Sequence, residues 1–168
     1  LASGSTPIPL PGVAFDEASR VMSSAGALRL PDIPERLLVV GGGFNRVELG
    51  SAYAALGSRV TLVELTGGLL PGVDRDLVKH LARHMERSFE AMYFNTQVAS
   101  IEEDEDQVIV TLEGEVDEAE HIFDRVLVLI GRRPNSRDIG LEHTQIEVDE
   151  DGYVIVDQKR RTADERIF

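Results

Sequence analysis

A glycine turn between an apolar strand and a helix constrains this chain most. The continuous apolar run at 37–40 suits a strand of a parallel sheet that is covered on both faces. Gly41 and Gly43 follow this run, and the next segment has the small apolar residues of a helix that packs close to a sheet. A second apolar run, 60–63, then ends at Glu64. Strand, turn, helix and strand in this order predict a parallel α/β unit.

The same turn has the chemistry of a dinucleotide site. Gly41 permits a tight bend, Gly43 lets backbone N–H groups approach a pyrophosphate, and the following helix directs its positive N-terminal end at that anion. Glu64 lies close to the ~20 positions beyond the turn at which a carboxylate accepts hydrogen bonds from the adenosine ribose. Because a carboxylate repels a 2′-phosphate, and no arginine stands at 65–70, the sequence favours NAD over NADP.

Arg46 departs from this fingerprint, since the pattern G-x-G-x-x-G asks for glycine or alanine at position 46. A small residue there normally lets the helix pack close to the strand. A guanidinium must either push the helix outward or extend toward solvent and the phosphate groups. It could therefore assist the anion or occupy its place. Because an arginine at a crowded point costs packing, we expect Arg46→Gly to tighten NADH binding, and the alternative stays open.

Composition excludes several classes of function. The chain of 168 residues is 42% hydrophobic, which allows one sizeable core, and it has no apolar run long enough for a membrane span. Its net charge of −13 repels nucleic-acid phosphates and anionic lipids, so neither nucleic acid nor membrane is an expected partner. The absence of cysteine means that redox chemistry must rely on a bound cofactor. We expect a cytoplasmic protein.

The rest of the chain completes the predicted fold class. A helix is expected from Asp74 to about Glu90, and further strands at 92–94 and 126–130. Between those two strands lie three short apolar runs separated by acidic turns, at 98–101, 108–112 and 120–123. The sequence thus predicts a Rossmann-like parallel sheet with helices and an inserted three-stranded antiparallel meander. Apolar and polar residues alternate on either side of Asp151 and Gly152, and this pattern predicts a hairpin over 146–156.

Several spaced motifs carry a family resemblance across essentially the whole chain. They are Ala2-Ser3-Gly4-Ser5, the turn GGGFNRVELG, Val63-Glu64, Asn95-Thr96-Gln97-Val98 and Ile130-Gly131-Arg132-Arg133-Pro134-Asn135. With them, the chain resembles the central NAD-binding domain of flavoprotein disulfide reductases, most closely those of the dihydrolipoamide dehydrogenase type.

The resemblance implies a set of contacts for each cofactor. Glu48 would lie near the nicotinamide-side ribose, Val98 beside the adenine and Gly131 near the nicotinamide end. The full set implied for NAD is Gly41, Gly42, Gly43, Phe44, Asn45, Arg46, Glu48, Glu64, Val98 and Gly131. In the full-length parent, Ser3, Gly4 and Ser5 would contact FAD. No catalytic residue and no metal ligand is implied within this chain.

The resemblance also predicts the organisation of the chain. Residues 1–12 would connect from an absent FAD domain, 13–135 would form the NAD-binding domain, and 136–168 would be a hairpin segment leading back to the FAD domain. The parent would oxidise dihydrolipoyl groups through a disulfide and FAD to NAD+, as a homodimer, with membership of a 2-oxo acid dehydrogenase complex left open. The isolated chain would bind NAD(H) and catalyse nothing.

Other interpretations remain at this point. The chain could be the NAD domain of another disulfide or mercuric reductase, or a structural domain that lost nucleotide binding through Arg46. His80 and His84 have the spacing of two metal ligands, but a third is not suggested nearby, and a surface position is favoured. The acidic run 102–106 lacks the glycine and spacing of a calcium loop and is interpreted as a solvated hairpin.

Overall fold

The computed structural model describes residues 1–168, which form two compact units. One unit is Pro9–Ile130, and the other joins Leu1–Ile8 to Gly131–Phe168. The strands, numbered along the chain, are β1 Ser5–Pro7, β2 Val21–Met22, β3 Arg36–Val40, β4 Arg59–Val63, β5 Ala91–Tyr93, β6 Thr96–Glu103, β7 Val108–Gly114, β8 Glu120–Phe123, β9 Arg125–Val128 and β10 Arg132–Pro134. The helices are α1 Ser24–Leu28, α2 Phe44–Ala55 and α3 Arg75–Ser88, with a short 3₁₀ turn at Leu141–His143.

The unit Pro9–Ile130 contains a five-stranded parallel sheet with the strand order β2-β9-β3-β4-β5. Its central strand β3 is buried on both faces. Leu37 and Val39 pack into a core with the helices, whereas Leu38 and Val40 pack into a second core on the opposite face. Because both faces of β3 are buried, its apolar residues do not alternate with polar ones. The predicted parallel strand, covered on both sides, is confirmed.

The second core is closed by the antiparallel sheet β6-β7-β8, which lies in the chain between β5 and β9. Val108, Val110 and Leu112 alternate along β7 and are buried in this core. A register shift between Val98 and Ser100 interrupts the β6–β7 pairing. The Rossmann-like sheet with an inserted three-stranded meander is therefore confirmed.

A glycine in helix α2 allows the helix to pack close against the sheet. A Cβ placed on Gly50 would lie 2.8 Å from Cζ of Phe89 and 3.6 Å from Cγ2 of Val39. Gly50 is thus the point at which α2 meets β3 and the end of α3. Its role was not predicted, although an isolated glycine inside a helical pattern is a signal for such close packing.

The unit formed by Leu1–Ile8 and Gly131–Phe168 has little regular structure. Strand β1 pairs antiparallel with β10, so that Ser5 lies opposite Pro134. The hairpin predicted over 146–156 is reduced to one antiparallel bridge between Val148 and Val154. Val148, Tyr153, Ile155 and Val156 of this segment are exposed, and an isolated two-stranded hairpin is only marginally stable. The second long helix, predicted from Asp74 to about Glu90, is Arg75–Ser88 with Asp74 as its N-cap and Phe89 as its C-cap, so this prediction is confirmed.

Candidate functional site

The candidate site lies at the carboxyl ends of β3 and β4, where parallel sheets of this type bind ligands. Gly41 follows β3 directly, and its N–H donates to the carbonyl of Val63 over 2.6 Å. Helix α2 then begins with Gly43 as its N-cap, without a capping side chain and without an acidic residue in its first turn. The N–H groups at this helix end therefore lack side-chain partners, which is the arrangement that binds an anion.

Glu64 is a buried carboxylate fixed against the glycine turn, which we define as residues 41–43. Glu64 is only 8% exposed, and its Oε2 accepts a hydrogen bond from the N–H of Gly42. Its Oε1 accepts from the backbone N–H of Thr66 at 2.8 Å and from the Thr66 hydroxyl at 2.6 Å. Carboxylate oxygens have further lone pairs, so Glu64 can still accept from a ligand hydroxyl.

Thr66 was not among the predicted site residues. Its hydroxyl and N–H both hold the Glu64 carboxylate, which makes it a positioning residue for that side chain. A threonine two positions after a carboxylate is the pattern of a local side-chain to backbone hydrogen bond. That pattern is the signal that could have identified Thr66.

The Arg46 side chain folds back over the glycine turn. A Cβ on Gly41 would lie 2.4 Å from its Nε, and a Cβ on Gly43 would lie 2.2 Å from its Nη1. Only glycine therefore leaves room for the guanidinium here. The sequence left two geometries open: Arg46 could push helix α2 outward, or its side chain could extend toward solvent and the phosphate groups. The helix is not pushed outward, because α2 still packs closely on β3 at Gly50.

The Arg46 guanidinium is partly desolvated. Burial lowers its pKa from the ordinary arginine value, and the nearby Glu64 carboxylate acts in the opposite direction. Arginine remains protonated in proteins, so the group is a cation in this setting. Its Nε is buried and has no hydrogen-bond partner. The site thus contains an unsatisfied cationic donor beside the helix N-terminus.

A cavity of about 490 Å³, here called the β3–β4 cavity, opens beside the turn. Its volume is in the range of small-molecule and cofactor sites. Five of the predicted residues line it: Gly41, Gly43, Arg46, Glu64 and Val98. Residues that were not predicted complete the wall, namely Leu10, Pro11, Val40, Val63, Leu65, Thr66, Pro71, Thr96, Gln97 and Ile130.

Three predicted residues stand on the first turns of α2 outside this wall. Phe44 is 67% exposed, and Asn45 and Glu48 are exposed as well. With this exposure, Phe44 is not packed under a neighbouring loop. Gly42 is buried, and its contribution to the site is the hydrogen bond to Glu64.

The remaining predicted residues belong to the other unit. The N–H of Asn135 donates to the carbonyl of Gly4 over 3.0 Å, and its amide Nδ2 donates to the carbonyl of Ser3 over 3.1 Å. Arg132 Nε donates to the Ser5 hydroxyl over 2.7 Å. The carbonyl of Gly131 accepts from the N–H of Ile8. Two motifs that lie far apart in the sequence are therefore paired.

The weaker sequence candidates lie on the surface. His80 and His84 are exposed on α3, and no group of three His, Cys, Asp or Glu side chains is placed to hold a metal ion. In the acidic hairpin, the carboxylate of Asp104 accepts from the backbone N–H groups of Asp106 and Gln107, which holds its pKa below the ordinary value. None of the helices has the length and apolar character needed to cross a membrane.

The family follows from comparison with known proteins. Residues 1–168 match the family model described as pyridine nucleotide-disulphide oxidoreductase, and the chain belongs to this family. Among curated proteins it is 39% identical over 169 residues to the dihydrolipoyl dehydrogenase of Vibrio parahaemolyticus, covering 100% of this chain and 35% of that protein. It is 38% identical over 168 residues to the dihydrolipoyl dehydrogenase of Geobacillus stearothermophilus, covering 100% of this chain and 35% of that protein. The chain spans about a third of the length of these relatives.

Solved structures agree with this assignment. LpdA from Mycobacterium tuberculosis is 29% identical with a TM-score of 0.85, covering 99% of this chain and 35% of that one. The HOCl-induced flavoprotein disulfide reductase RclA from Escherichia coli is 30% identical with a TM-score of 0.83, covering 99% and 37%. The family resemblance inferred from the spaced motifs is confirmed.

Proposed function

We propose that this chain binds NAD(H) at the β3–β4 cavity, as the nucleotide domain of a dihydrolipoyl dehydrogenase-like flavoenzyme. The observation that carries the proposal is the buried Glu64 carboxylate, which is fixed against a glycine turn beside a cavity of about 490 Å³. The nicotinamide of a bound NAD+ would accept the electrons that the whole enzyme takes from a dihydrolipoyl group through a disulfide and FAD. This chain's own task is to bind and orient that cofactor.

The residues present fit such a ligand. The uncapped N-terminus of α2 and the glycine turn supply donors for a pyrophosphate, and the orphaned Arg46 Nε adds a cationic one. Glu64 supplies the acceptor for adenosine ribose hydroxyls, and Val98 supplies an apolar wall for the adenine. Phe44 and Glu48 are the exposed residues proposed for the nicotinamide half, and Asn45, which is also exposed, is proposed as part of the turn that contacts NAD.

The FAD contacts proposed for Ser3, Gly4 and Ser5, and the contact of Gly131 with the nicotinamide end, rest on the family alone. So do the homodimer, the 2-oxo acid dehydrogenase complex and the cytoplasmic location. The predicted boundaries 1–12, 13–135 and 136–168, with connections to an FAD domain, also stay predictions.

Titration with NADH and with NADPH, followed by nicotinamide fluorescence, tests the proposal. We expect saturable NADH binding and weaker NADPH binding, because the Glu64 carboxylate repels a 2′-phosphate. Glu102→Arg is the matched control, since Glu102 is exposed near the end of β6 remote from the cavity-lining Thr96. This control should leave both titrations unchanged. Failure of NADH to bind at millimolar concentration would contradict the proposal.

One alternative has an observation in its favour. Arg46 covers the glycine turn, which is the geometry expected of a domain that retains its fold without a nucleotide. The same titration decides between the two functions, because that domain would bind neither NADH nor NADPH. The likeness to RclA supports a second alternative, the nucleotide domain of another disulfide reductase, which keeps the NAD(H) site and changes only the substrate of the whole enzyme.

A further inference from the structure

The position of Arg46 in α2 is unfavourable without an anion. It lies in the first turn of the helix, where the free N–H groups already carry partial positive charge, and that turn contains no acidic side chain. A cation at this end of a helix is repelled by the helix dipole. The chain as a whole carries a net charge of −13, so this locally positive point contrasts with the rest of the molecule.

The Glu64 carboxylate does not satisfy the guanidinium. Its two oxygens accept from the N–H of Gly42 and from Thr66, and neither makes a hydrogen bond with Nε of Arg46. The Arg46 Nε is left buried without a partner, and burial lowers the pKa of the side chain. An unpaired buried donor, and still more a desolvated cation, is costly, so a group that accepts from it would be bound favourably.

We propose that Arg46 is a ligand of the cofactor pyrophosphate, replacing the third glycine of the fingerprint with a charged donor. This inference rests on the proposed NAD(H) function. In this structure the guanidinium lies over Gly41 and Gly43, and it must move off the turn for a pyrophosphate to bind there. That movement breaks no hydrogen bond of Nε, and it allows charge-assisted hydrogen bonds to the phosphate oxygens.

The proposal reverses the expectation drawn from the sequence, which was that Arg46→Gly tightens NADH binding. The sequence argument counted the packing cost of a long side chain at the helix–strand contact. In the structure that contact is made at Gly50, and the Arg46 side chain lies over the turn instead. Removing Arg46 therefore relieves little helix packing and deletes a cationic donor.

Calorimetric titration of the 168-residue chain tests the proposal with NADH, ADP-ribose and adenosine as ligands. ADP-ribose retains the pyrophosphate, whereas adenosine lacks it. We expect Arg46→Gly and Arg46→Gln to weaken binding of NADH and ADP-ribose about tenfold or more, as loss of a charge-assisted hydrogen bond does. Arg46→Lys should recover part of the loss, and adenosine binding should not change. The difference should shrink at high salt.

Arg83→Gln is the matched control, because Arg83 is exposed on α3 and outside the cavity wall. It should leave all three titrations unchanged. Thermal unfolding checks each variant, and if Arg46→Gly does not fold, the Gln and Lys variants decide. Wild-type binding of NADH with equal or tighter binding by Arg46→Gly or Arg46→Gln would overturn the proposal. Absence of NADH binding by the wild-type chain would instead refute the proposed function, and this inference with it.

Discussion

The Glu64 carboxylate has two tasks at once in this structure. It shapes the glycine turn through the N–H of Gly42, and it lines the β3–β4 cavity. Thr66 fixes its other oxygen. A carboxylate held from both sides loses little conformational freedom when it accepts a ligand hydroxyl, so this acceptor needs no rearrangement to bind.

Reversing the charge at residue 64 should change cofactor preference. Glu64→Arg removes the ribose acceptor and the repulsion of a 2′-phosphate, and it adds a phosphate donor. We expect the ratio of NADPH to NADH affinity to rise by about tenfold or more. Fluorescence titration measures this ratio, with Glu102→Arg as the control for a change of net charge. An unchanged ratio would show that Glu64 does not face the ribose.

Filling the contact at Gly50 should destabilise the fold. Gly50→Val places new atoms against Phe89, whose Cζ would lie 2.8 Å from a Cβ at this position, and overpacking of this kind costs about 1–3 kcal/mol. Urea unfolding measures the loss. The double variant Gly50→Val with Phe89→Leu removes Cζ and should lose less stability than the two single losses added together. Additive losses would show that Phe89 does not cause the strain.

At the element scale, Asp124 ties the start of β9 to the start of β3. Its Oδ2 accepts from the backbone N–H of Arg36 at 2.7 Å, and its Oδ1 accepts from Nη2 of Arg36 at 2.7 Å. Burial raises the pKa of Asp124, but the hydrogen bonds and charge of Arg36 outweigh it, so the pKa lies below the ordinary value. This carboxylate therefore stabilises the folded state in its ionised form.

The contribution of Asp124 should depend on pH. Because the folded pKa is depressed, the stabilisation is complete above the unfolded pKa of about 3.9 and is lost as the pH falls through the folded pKa. Both side chains are partly exposed, so we expect Asp124→Asn to cost about 1 kcal/mol at pH 7. Urea unfolding should show this gap narrowing as the pH is lowered below about 3.9. A gap that stays constant with pH would contradict the assignment.

The regular elements of this fold were predictable where the pattern of apolar residues was long or continuous. The strand at 37–40, the meander and the helix after Asp74 follow from apolar runs and a capping residue. The pairing of β1 with β10 was not predictable, because it joins segments far apart in the chain through backbone hydrogen bonds. The weakness of the 146–156 hairpin, which is reduced to one bridge, was also not predictable. Turn residues indicate where the chain bends, but they do not show whether an apolar face is available to stabilise the two strands.

The candidate site was predictable to a similar degree. The glycine turn and Glu64 follow from motif spacing, and the structure brings them together at one cavity. The direction of the Arg46 side chain could not be read from the motif, because it depends on the space left above Gly41 and Gly43. The roles of Thr66 and Gly50 depend likewise on tertiary contacts that a single sequence does not contain.

At the scale of the whole molecule, the absence of cysteine sets a limit on the chemistry of these 168 residues. Oxidation of a dithiol requires a disulfide or a flavin to receive its electrons, and a chain without cysteine can form no disulfide. We expect the purified chain to show no dihydrolipoamide oxidation with NAD+ and no yellow chromophore. The absorbance of any NADH formed and a visible spectrum of the purified chain check this. Flavin retained in stoichiometric amount would contradict the expectation.

The order of the strands also has a consequence for how fast the sheet can form. Strand β3 lies between β4 and β9, and the Arg36–Asp124 contact at the start of the β3–β9 pair joins residues 88 positions apart. Loop closure of this length costs entropy before the pairing contributes, whereas the meander consists of neighbouring hairpins. Local hairpins should therefore form early and bring β9 toward β3. Once formed, the meander would shorten the loop that must close and so reduce the entropy cost of pairing β3 with β9.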